Sequence, residues 1–349
     1  MRTMKAIVVH APGDIRFEEI VLPALGPDQV CVRVATCGVC ASDVPRALGG
    51  KAYFYPIVLG HEIAGAVVEV GAEVKGIFIG QRCAVAPLIP CGRCEWCASG
   101  RYSLCDDYDY LGSRTTGGNA EYVVAPAANI VLLPDSVSDE AGALLEPAAV
   151  ALHGLGFAHL KPGEAVAVIG AGPLGLLALQ LAQILEANRV WAIDVLEAKL
   201  QVARSLGAET LLEDGQGAAV RNLRDVTHGR GVDVVIEASG ATSAFPLALR
   251  LVRKGGRIVR LGLSEDDLVL SRALNQRITR EELTVMGAWN SYSAPFPGQE
   301  WQVTLAYMST GQLQTRPLMT HRFPLDQARH AWQMMWARAE FFNKVVLIP

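Results

Sequence analysis

The chain has 349 residues, enough for two domains that each bury a core of their own. Hydrophobic residues make up 51% of it and charged residues 19%, which is typical of a compact globular protein and excludes a largely disordered one. The net charge of −4 argues against nucleic acid or an anionic membrane as the main partner.

The first 150 residues are rich in β-type runs interrupted by Gly and Pro, and no helical period is sustained there. The start of the chain runs directly into an apolar strand over 6–9, so we expect no N-terminal targeting signal. Eight cysteines without such a signal indicate a reducing cytoplasm, where thiols bind metals or stay buried. Further strands are predicted over 29–35, 63–70 and 121–124.

From about residue 153 the pattern changes to short apolar strands that alternate with helices. This alternation predicts a parallel sheet with helices on both faces. Segment 165–185 is uncharged over a length that could span a membrane, but three glycines and Pro173 divide it into a strand, a turn and a helix. Strands are predicted over 166–169, 190–194, 210–212, 232–237 and 257–261, and helices over 174–185 and 197–206.

Beyond residue 286 the chain becomes Pro-rich, and helices are predicted over 300–309 and 325–338, with a final strand over 344–348. We expect this tail to join the N-terminal β region in one discontinuous domain. The predicted domains are therefore 1–152 with 294–349, and 153–293.

Four cysteines lie close together in one short lobe, residues 88–110. Two residues separate each of the first three, and seven separate the third from the fourth. This density favours a closed, structural Cys₄ zinc site, because little loop-closure entropy opposes it. The alternatives are two disulfides or a coincidence of apolar cysteines. The predicted ligands are Cys91, Cys94, Cys97 and Cys105.

A glycine-rich turn follows the strand predicted over 166–169 and opens a helix, and Asp194 ends the next strand. This is the context in which a GxGxxG pattern binds a dinucleotide, since backbone N–H groups can approach the pyrophosphate at the helix N-terminus. The alternative is a plain glycine turn with a surface Asp. The predicted cofactor contacts are Gly170, Gly172, Pro173, Leu174, Gly175, Asp194 and, in the next helix, Lys199.

The acid at Asp194 also bears on which dinucleotide is bound. Its carboxylate would accept hydrogen bonds from the adenosine ribose hydroxyls and would repel a 2′-phosphate. Its neighbours Val195 and Leu196 supply no cation to offset that repulsion. We therefore expect NAD in preference to NADP.

Three further motifs stand in the N-terminal half: Gly38-Val39-Cys40-Ala41-Ser42-Asp43, Gly60-His61-Glu62 and Leu145-Glu146-Pro147. Taken singly, each has an ordinary structural explanation. Together with the four-cysteine lobe and the GxGxxG turn, in this order, they resemble the zinc-dependent medium-chain dehydrogenases. The resemblance covers nearly the whole chain. It implies an α/β protein with a Rossmann dinucleotide-binding domain, a GroES-like partly open β-barrel catalytic domain, and an active site in the cleft between them.

The resemblance also implies the catalytic residues. Cys40, His61 and Glu146 would hold a catalytic zinc with one position left open, so that two zinc ions are expected per chain. Glu62 would be a neighbouring group or an exchangeable fourth ligand. Ser42 would be the first proton carrier, although Arg46 and its neighbours replace a histidine that some relatives place there, so later steps would use water or ribose hydroxyls.

A glutamate as third ligand resembles the polyol branch of the family, so we expect a sugar alcohol or its phosphate as substrate, with galactitol 1-phosphate first. Arg46, Lys51 and Arg114 are candidates to bind a phosphate, or else they are solvated loop residues.

The alternatives are an unphosphorylated polyol such as sorbitol or a pentitol, an amino alcohol such as threonine, or a catalytically silent, crystallin-like relative. The resemblance further implies a homodimer or homotetramer.

Overall fold

The computed structural model describes residues 2–349, which divide into two compact units. The first comprises residues 2–146, Ser291–Thr310 and Met319–Pro349, and the second comprises Pro147–Asn290 and Gly311–Leu318. The boundary expected after residue 152 lies after residue 146, and residues 311–318 lie in the second unit rather than the first.

The part of the first unit before residue 146 consists mainly of strands, because apolar side chains alternate with polar ones between turn-forming Gly and Pro. Its elements are β1 (Thr3–Ala11), β2 (Asp14–Val21), β3 (Gln29–Val39), α1 (Asp43–Leu48), β4 (Ile57–Val58), β5 (Glu62–Val70), β6 (Arg82–Val85), β7 (Leu88–Ile89), α2 (Glu95–Ala98), β8 (Asp109–Tyr110), β9 (Tyr122–Pro126), β10 (Ile130–Leu132) and α3 (Asp139–Ala143). In β1, Met4 and Ala6 are buried whereas Thr3 and Lys5 are exposed.

The middle of the chain alternates strands and helices, as the sequence predicts. Its elements are α4 (Leu145–Ala158), β11 (Ala165–Ile169), α5 (Pro173–Ile184), β12 (Arg189–Asp194), α6 (Glu197–Ser205), β13 (Glu209–Leu212), α7 (Ala218–Val226), β14 (Val232–Glu237), α8 (Ala244–Leu251), β15 (Val252–Arg260), α9 (Arg272–Arg280) and β16 (Thr284–Gly287). The six strands form one parallel sheet in the order β13-β12-β11-β14-β15-β16. This is the strand order of a dinucleotide-binding Rossmann sheet.

Segment 165–185 is confirmed as a strand, a turn and a helix, β11 followed by α5. Within residues 2–349, no helix has the length and apolar character needed to cross a membrane.

The C-terminal tail completes the first unit. It contributes α10 (Gln299–Ser309), β17 (Met319–Pro324), α11 (Ala328–Ala337) and β18 (Lys344–Ile348). The helix predicted from residue 325 starts three residues later, after a 3₁₀ turn at Leu325–Gln327. β18 lies antiparallel to β3 in the sheet β10-β6-β5-β3-β18-β17, and Trp332 and Leu347 share a core with Ile7. Residues from both ends of the chain therefore build one core.

Candidate active site and metal centres

The four cysteines of the lobe converge on one point. Their sulfurs lie within 4.8 Å of one another, with Cys91 Sγ 4.0 Å from Cys97 Sγ and Cys94 Sγ 3.9 Å from Cys105 Sγ. Two Zn–S bonds of about 2.3 Å at a tetrahedral angle separate their sulfurs by about 3.8 Å. The spacing fits a tetrahedral zinc ion, and all eight cysteines of the chain are free of disulfides.

The surroundings within the lobe shift the pKa values of its thiols in opposite directions. Backbone N–H groups of Asp106 and Cys97 lower the pKa of the Cys94 thiol to about 6, because they stabilise a thiolate. Burial and the neighbouring thiols of Cys94 and Cys105 raise the pKa of Cys97 to about 12. Four thiols held this closely cannot all ionise without a cation, which is the condition that zinc relieves.

A second cluster is formed by Cys40, His61 and Glu62, whose ligand atoms lie within 4.8 Å of one another. Its geometry follows from strand register, because β3 and β5 are antiparallel and Gly38 pairs with Glu62. Cys40 in the turn after β3 therefore lies beside His61, just before β5. A side chain at Gly38 would displace the Glu62 carboxylate and the Lys344 stem, since its Cβ would overlap Glu62 Oε2 and lie 2.9 Å from Lys344 Cε.

Asp43 orients the histidine of this cluster. Its fully buried carboxylate lies 3.3 Å from His61 Nδ1 and accepts the backbone N–H of Cys40 at 3.2 Å. Burial lowers the pKa of His61, but Asp43 and Cys40 raise it more, so the net pKa lies well above its usual value. The contact is an ion-pair approach and not a hydrogen bond of good geometry, but a carboxylate on the Nδ1 side favours a proton there and leaves Nε2 as the nitrogen available to a metal.

Glu146 does not belong to this three-residue cluster, although it is predicted as a ligand. It lies in the first turn of α4 with 7% exposed, and its Oε1 accepts a hydrogen bond from Tyr110 Oη at 3.1 Å. The Tyr110 and His61 rings are 5.8 Å apart, so Glu146 shares the buried surroundings of the cluster. Burial and the charge of Glu62 raise the pKa of Glu146 to about 7. Its role as a zinc ligand stays a prediction.

Lys344 brings a cation into the same surroundings. It forms an ion pair with Glu62 and donates to Val39 O at 3.1 Å. Burial lowers the pKa of Lys344, but Glu62 and Cys40 raise it more, and the net pKa is raised. Lys344 therefore keeps its proton beside the cluster.

The charges of this region fit a divalent cation. Four groups can be anionic, namely the Cys40 thiol and the carboxylates of Asp43, Glu62 and Glu146, whereas the paired cations are Lys344 and Arg46. Buried charge without compensation is unfavourable by several kcal/mol. One Zn²⁺ with a neutral His61 would bring the region to balance, so the donor set suits the metal.

Ser42, the predicted proton carrier, lies next to Cys40. Its hydroxyl donates to Cys40 Sγ at 3.3 Å and accepts from Arg46 Nη1 at 2.7 Å. Arg46 also lies 3.6 Å from Asp43 Oδ1 and is 20% exposed. Arg46 is therefore engaged with Ser42 and Asp43 instead of lying in solvent.

Arg114, the other candidate for phosphate binding, is held between two aromatic rings. Its guanidinium carbon lies 4.1 Å from the Tyr108 ring centroid and 4.8 Å from that of Tyr53. Nη1 donates to Tyr108 O at 3.2 Å. Among residues 2–349 no carboxylate forms an ion pair with it, although burial lowers its pKa less than Tyr53, Tyr108 and the charge of Asp109 raise it.

The glycine-rich turn has the geometry that the sequence predicts for a dinucleotide site. Gly170 has a φ of +95°, and a Cβ at Gly175 would lie 1.8 Å from Gly170 O, so both positions require glycine. Gly172 is the N-cap of α5 and Pro173 follows it, which leaves the first N–H groups of that helix unpaired by a side chain.

Asp194 ends β12 beside this turn. Its Oδ2 accepts the Ala171 N–H at 2.8 Å and its Oδ1 accepts the Leu196 N–H at 2.9 Å. Val195 and Leu196 are exposed next to it, and Lys199 lies in the first turn of α6. The placement of Leu174 and Lys199 against a cofactor stays a prediction.

Sequence reasoning missed three residues of the site: Asp43, Tyr110 and Lys344. Asp43 stands in a motif that the sequence singles out, but its role depends on the approach of His61. Tyr110 has no local signal. For Lys344 the one available signal was a lysine at the start of an apolar terminal strand.

Comparison with known families covers both units. The family model of the alcohol dehydrogenase GroES-like domain matches residues 26–135, and that of the zinc-binding dehydrogenases matches residues 173–308. These ranges contain the two clusters and the glycine-rich turn, apart from Gly170 and Gly172, which lie just before the second match.

Similar proteins match over the full length. Galactitol 1-phosphate 5-dehydrogenase of Escherichia coli K12 is 37% identical, covering 99% of this chain and 100% of that enzyme, and sorbitol dehydrogenase of Bacillus subtilis 168 is 32% identical, covering 100% and 98%. The crystal structure of the Escherichia coli galactitol-1-phosphate dehydrogenase superposes with a TM-score of 0.94 over 99% of this chain and 100% of that one. A putative zinc-binding dehydrogenase of Sinorhizobium meliloti 1021 bound to NADP gives 0.90 at 32% identity over 100% of both chains.

Proposed function

Because the chain belongs to the zinc-binding, medium-chain alcohol dehydrogenase family, we propose that it oxidises a secondary hydroxyl of a sugar alcohol and passes the hydride to NAD. The first-ranked substrate is galactitol 1-phosphate, with tagatose 6-phosphate as product. The observation that carries the proposal is the cluster of Cys40, His61 and Glu62 with Glu146 beside it. A carboxylate among the predicted zinc ligands is typical of the polyol branch of the family. The similar enzymes of Escherichia coli and Bacillus subtilis are named for polyol substrates, which supports the same substrate class.

The residues of the cluster have distinct roles in this mechanism. Cys40 and His61 would hold a zinc ion together with a carboxylate from Glu146 or Glu62. A bound zinc ion acts as a Lewis acid and lowers the pKa of a hydroxyl it polarises. Asp43 keeps His61 in the tautomer that presents Nε2, and Lys344 offsets the charge of Glu62.

Ser42 would relay the hydroxyl proton of the substrate: its Oγ would accept that proton and release its own, which is donated to Cys40 Sγ in this structure, to the next carrier. Arg46 donates to one lone pair of Ser42 Oγ, so a second lone pair is left for that proton. Arg46 cannot carry the proton further, because a guanidinium has no acceptor and keeps its charge. We therefore infer that Arg46 positions Ser42, and that the proton leaves through water or a ribose hydroxyl.

Arg114 is the residue we propose for the substrate phosphate. Its contacts with the Tyr53 and Tyr108 rings and the hydrogen bond to Tyr108 O restrict the guanidinium, and within residues 2–349 no carboxylate forms an ion pair with it. An oriented guanidinium suits two-pronged binding of a phosphate. Arg46 is the weaker candidate, because Ser42 and Asp43 already engage it.

The test is steady-state kinetics with galactitol 1-phosphate and galactitol. We expect kcat/KM to favour the phosphorylated substrate, and Arg114→Ala to raise KM for that substrate alone. Arg101→Ala is the matched control, since Arg101 stacks over Trp96 at 5.1 Å in the cysteine lobe. Equal turnover of both substrates would reject galactitol 1-phosphate, and an equal effect of Arg114→Ala on both would reject the phosphate role.

An unphosphorylated polyol such as sorbitol or a pentitol is the second candidate. The 32% identity with Bacillus subtilis sorbitol dehydrogenase supports it. A higher kcat/KM for sorbitol or xylitol than for galactitol 1-phosphate would establish it in place of the first.

We propose NAD rather than NADP as the physiological cofactor. The Asp194 carboxylate ends β12 beside the glycine-rich turn, and no Lys or Arg occupies the two following positions. A 2′-phosphate there would meet negative charge. The ratio of kcat/KM for the two cofactors tests this, and a preference for NADP would reject it.

We further propose that the protein is a homo-oligomer, a dimer or a tetramer. β16 pairs with β15 on one side only, so its other edge is open, and Val285 on it is 37% exposed. Sedimentation equilibrium tests this, and a monomer at micromolar concentration would contradict it.

We also propose that the protein works in the cytoplasm, where its eight free cysteines stay reduced. Fractionation of cells that produce the protein, followed by thiol counting on the denatured chain, tests this. Recovery in an oxidising compartment with cysteines paired in disulfides would contradict it.

A further inference from the structure

The second unit carries a basic recess remote from the glycine-rich turn. We use this name for the cavity of about 310 Å³ lined by Arg224, Gly229, Arg230, Arg253, Lys254, Arg277 and Glu281. Arg230 precedes β14, and Arg253 and Lys254 lie at the start of β15. The glycine-rich turn follows the carboxyl end of β11, a parallel neighbour of β14. The recess therefore lies at the amino ends of the parallel strands, opposite the carboxyl ends where the predicted cofactor site lies.

The charges around the recess do not balance. Arg230 and Arg253 share one carboxylate, Asp233, each at 2.6 Å. Arg277 pairs with Glu281 at 2.6 Å. With Arg224 and Lys254, five cations face two carboxylates, a surplus of three positive charges in a chain whose net charge is −4.

Helix capping accounts for only part of this cluster. Arg224 donates to Arg250 O at 2.9 Å and Arg277 donates to Leu249 O and Val252 O, so both cap the carboxyl end of α8. Capping leaves Lys254 unexplained: within residues 2–349 its ammonium makes no ion pair or hydrogen bond. It also leaves two arginines competing for Asp233.

We propose that the basic recess binds a small anion that carries a phosphate group, either inorganic phosphate or a phosphate monoester. Arg253 uses Nε for Asp233 and Nη1 for Lys254 O, so its Nη2 has no partner in the described chain. Arg253 Nη2 and the Lys254 ammonium could both donate hydrogen bonds to one ligand, and phosphate oxygens accept from such pairs of cationic donors.

The recess is also held in place before any ligand binds. Arg224 donates to Gly229 O at 2.8 Å, and Arg277 is fixed by two bonds to Glu281 at 2.6 and 2.8 Å. Arg224 and Arg277 therefore lose little side-chain entropy on binding, whereas the exposed Lys254 must be ordered by the ligand. The local surplus is confined to a recess in an acidic chain, which favours a small anion over a nucleic acid.

Calorimetric titration of the full-length, zinc-loaded protein with inorganic phosphate tests the proposal, with ionic strength matched by potassium chloride. We expect saturable binding, about tenfold weaker in Lys254→Ala, since a charge-assisted contact is lost. Lys161→Ala is the matched control, because Lys161 is an exposed lysine of the same unit outside the recess, and we expect it to bind phosphate like wild type.

Lys254→Glu is a second variant and should abolish the binding. Tighter binding of glucose 6-phosphate than of phosphate would identify the ligand as a monoester, and the reverse order as free phosphate. Unchanged phosphate affinity in both Lys254 variants, or a loss of affinity in Lys161→Ala as large as that in Lys254→Ala, overturns the proposal. Neither result depends on the proposed function, which the kinetics above test separately.

Discussion

Lys344 and Glu62 form an ion pair in the core of the first unit, with only 2% of either side chain exposed. Lys344 begins β18, and its ammonium reaches Val39 O at the end of β3, which is 305 residues away in sequence. Glu62 belongs at the same time to the cluster with Cys40 and His61. The last strand therefore supplies the cation that the N-terminal strands need around their metal ligands.

Removal of the lysine should destabilise the first unit strongly. In Lys344→Met the Glu62 carboxylate would stay buried without its cation, which costs about 3–5 kcal/mol. Urea unfolding should show the loss, and Lys344→Met with Glu62→Gln should recover much of it. Lys75→Met, at an exposed position, should change stability by less than about 0.5 kcal/mol. If Lys344→Met alone were as stable as wild type, the ion pair would not be needed for the stability of the first unit.

Asp43 should control zinc affinity at the open cluster. In Asp43→Asn, an amide N–H facing His61 Nδ1 would favour the tautomer with a proton on Nε2, which cannot bind the metal. We expect one of the two zinc ions to bind about 10–100-fold more weakly, as measured by competition with a chromophoric chelator. Asp14→Asn is the control, because Asp14 forms an ion pair with the exposed Arg16 and lies outside the cluster. If both zinc affinities were unaltered in Asp43→Asn, Asp43 would not control zinc affinity at the open cluster.

The two cysteine clusters should respond differently to a single Cys→Ser change. Cys94→Ser should lower the melting temperature and the zinc content together, because the lobe depends on four sulfur ligands. Cys40→Ser should abolish turnover in a protein that keeps its circular dichroism spectrum and one zinc ion. Activity in Cys40→Ser above about one hundredth of wild type, or retention of both zinc ions, would contradict the assignment of the open site.

The sequence predicts features whose residues lie close together along the chain. The cysteine lobe, the glycine-rich turn and most strands of the second unit are of this kind. The strand β16 was not predicted because it has only four residues, most of which are exposed. Asp43, Tyr110 and Lys344 could not be assigned roles, since strand register and the packing of α4, rather than spacing, bring them to their partners.

Asp233 should make the stability of the second unit depend on pH. Burial raises its pKa, but hydrogen bonds from Arg230, the Ala165 N–H and Arg253 lower it more, so the folded pKa lies well below its usual value. The unfolded chain therefore binds the proton more readily. Stability from this group is complete above about pH 5 and falls as the pH drops through the unfolded pKa of about 3.9.

Asp233→Asn should remove this dependence. Urea midpoints measured between pH 7 and pH 3.5 should fall less steeply in the variant than in wild type, and the variant should be less stable at pH 7. Asp266→Asn, at an exposed position in a loop of the same unit, is the control and should follow the wild-type profile. Parallel profiles for Asp233→Asn and wild type would show that the bonds from Arg230 and Arg253 add no stability through the charge of Asp233.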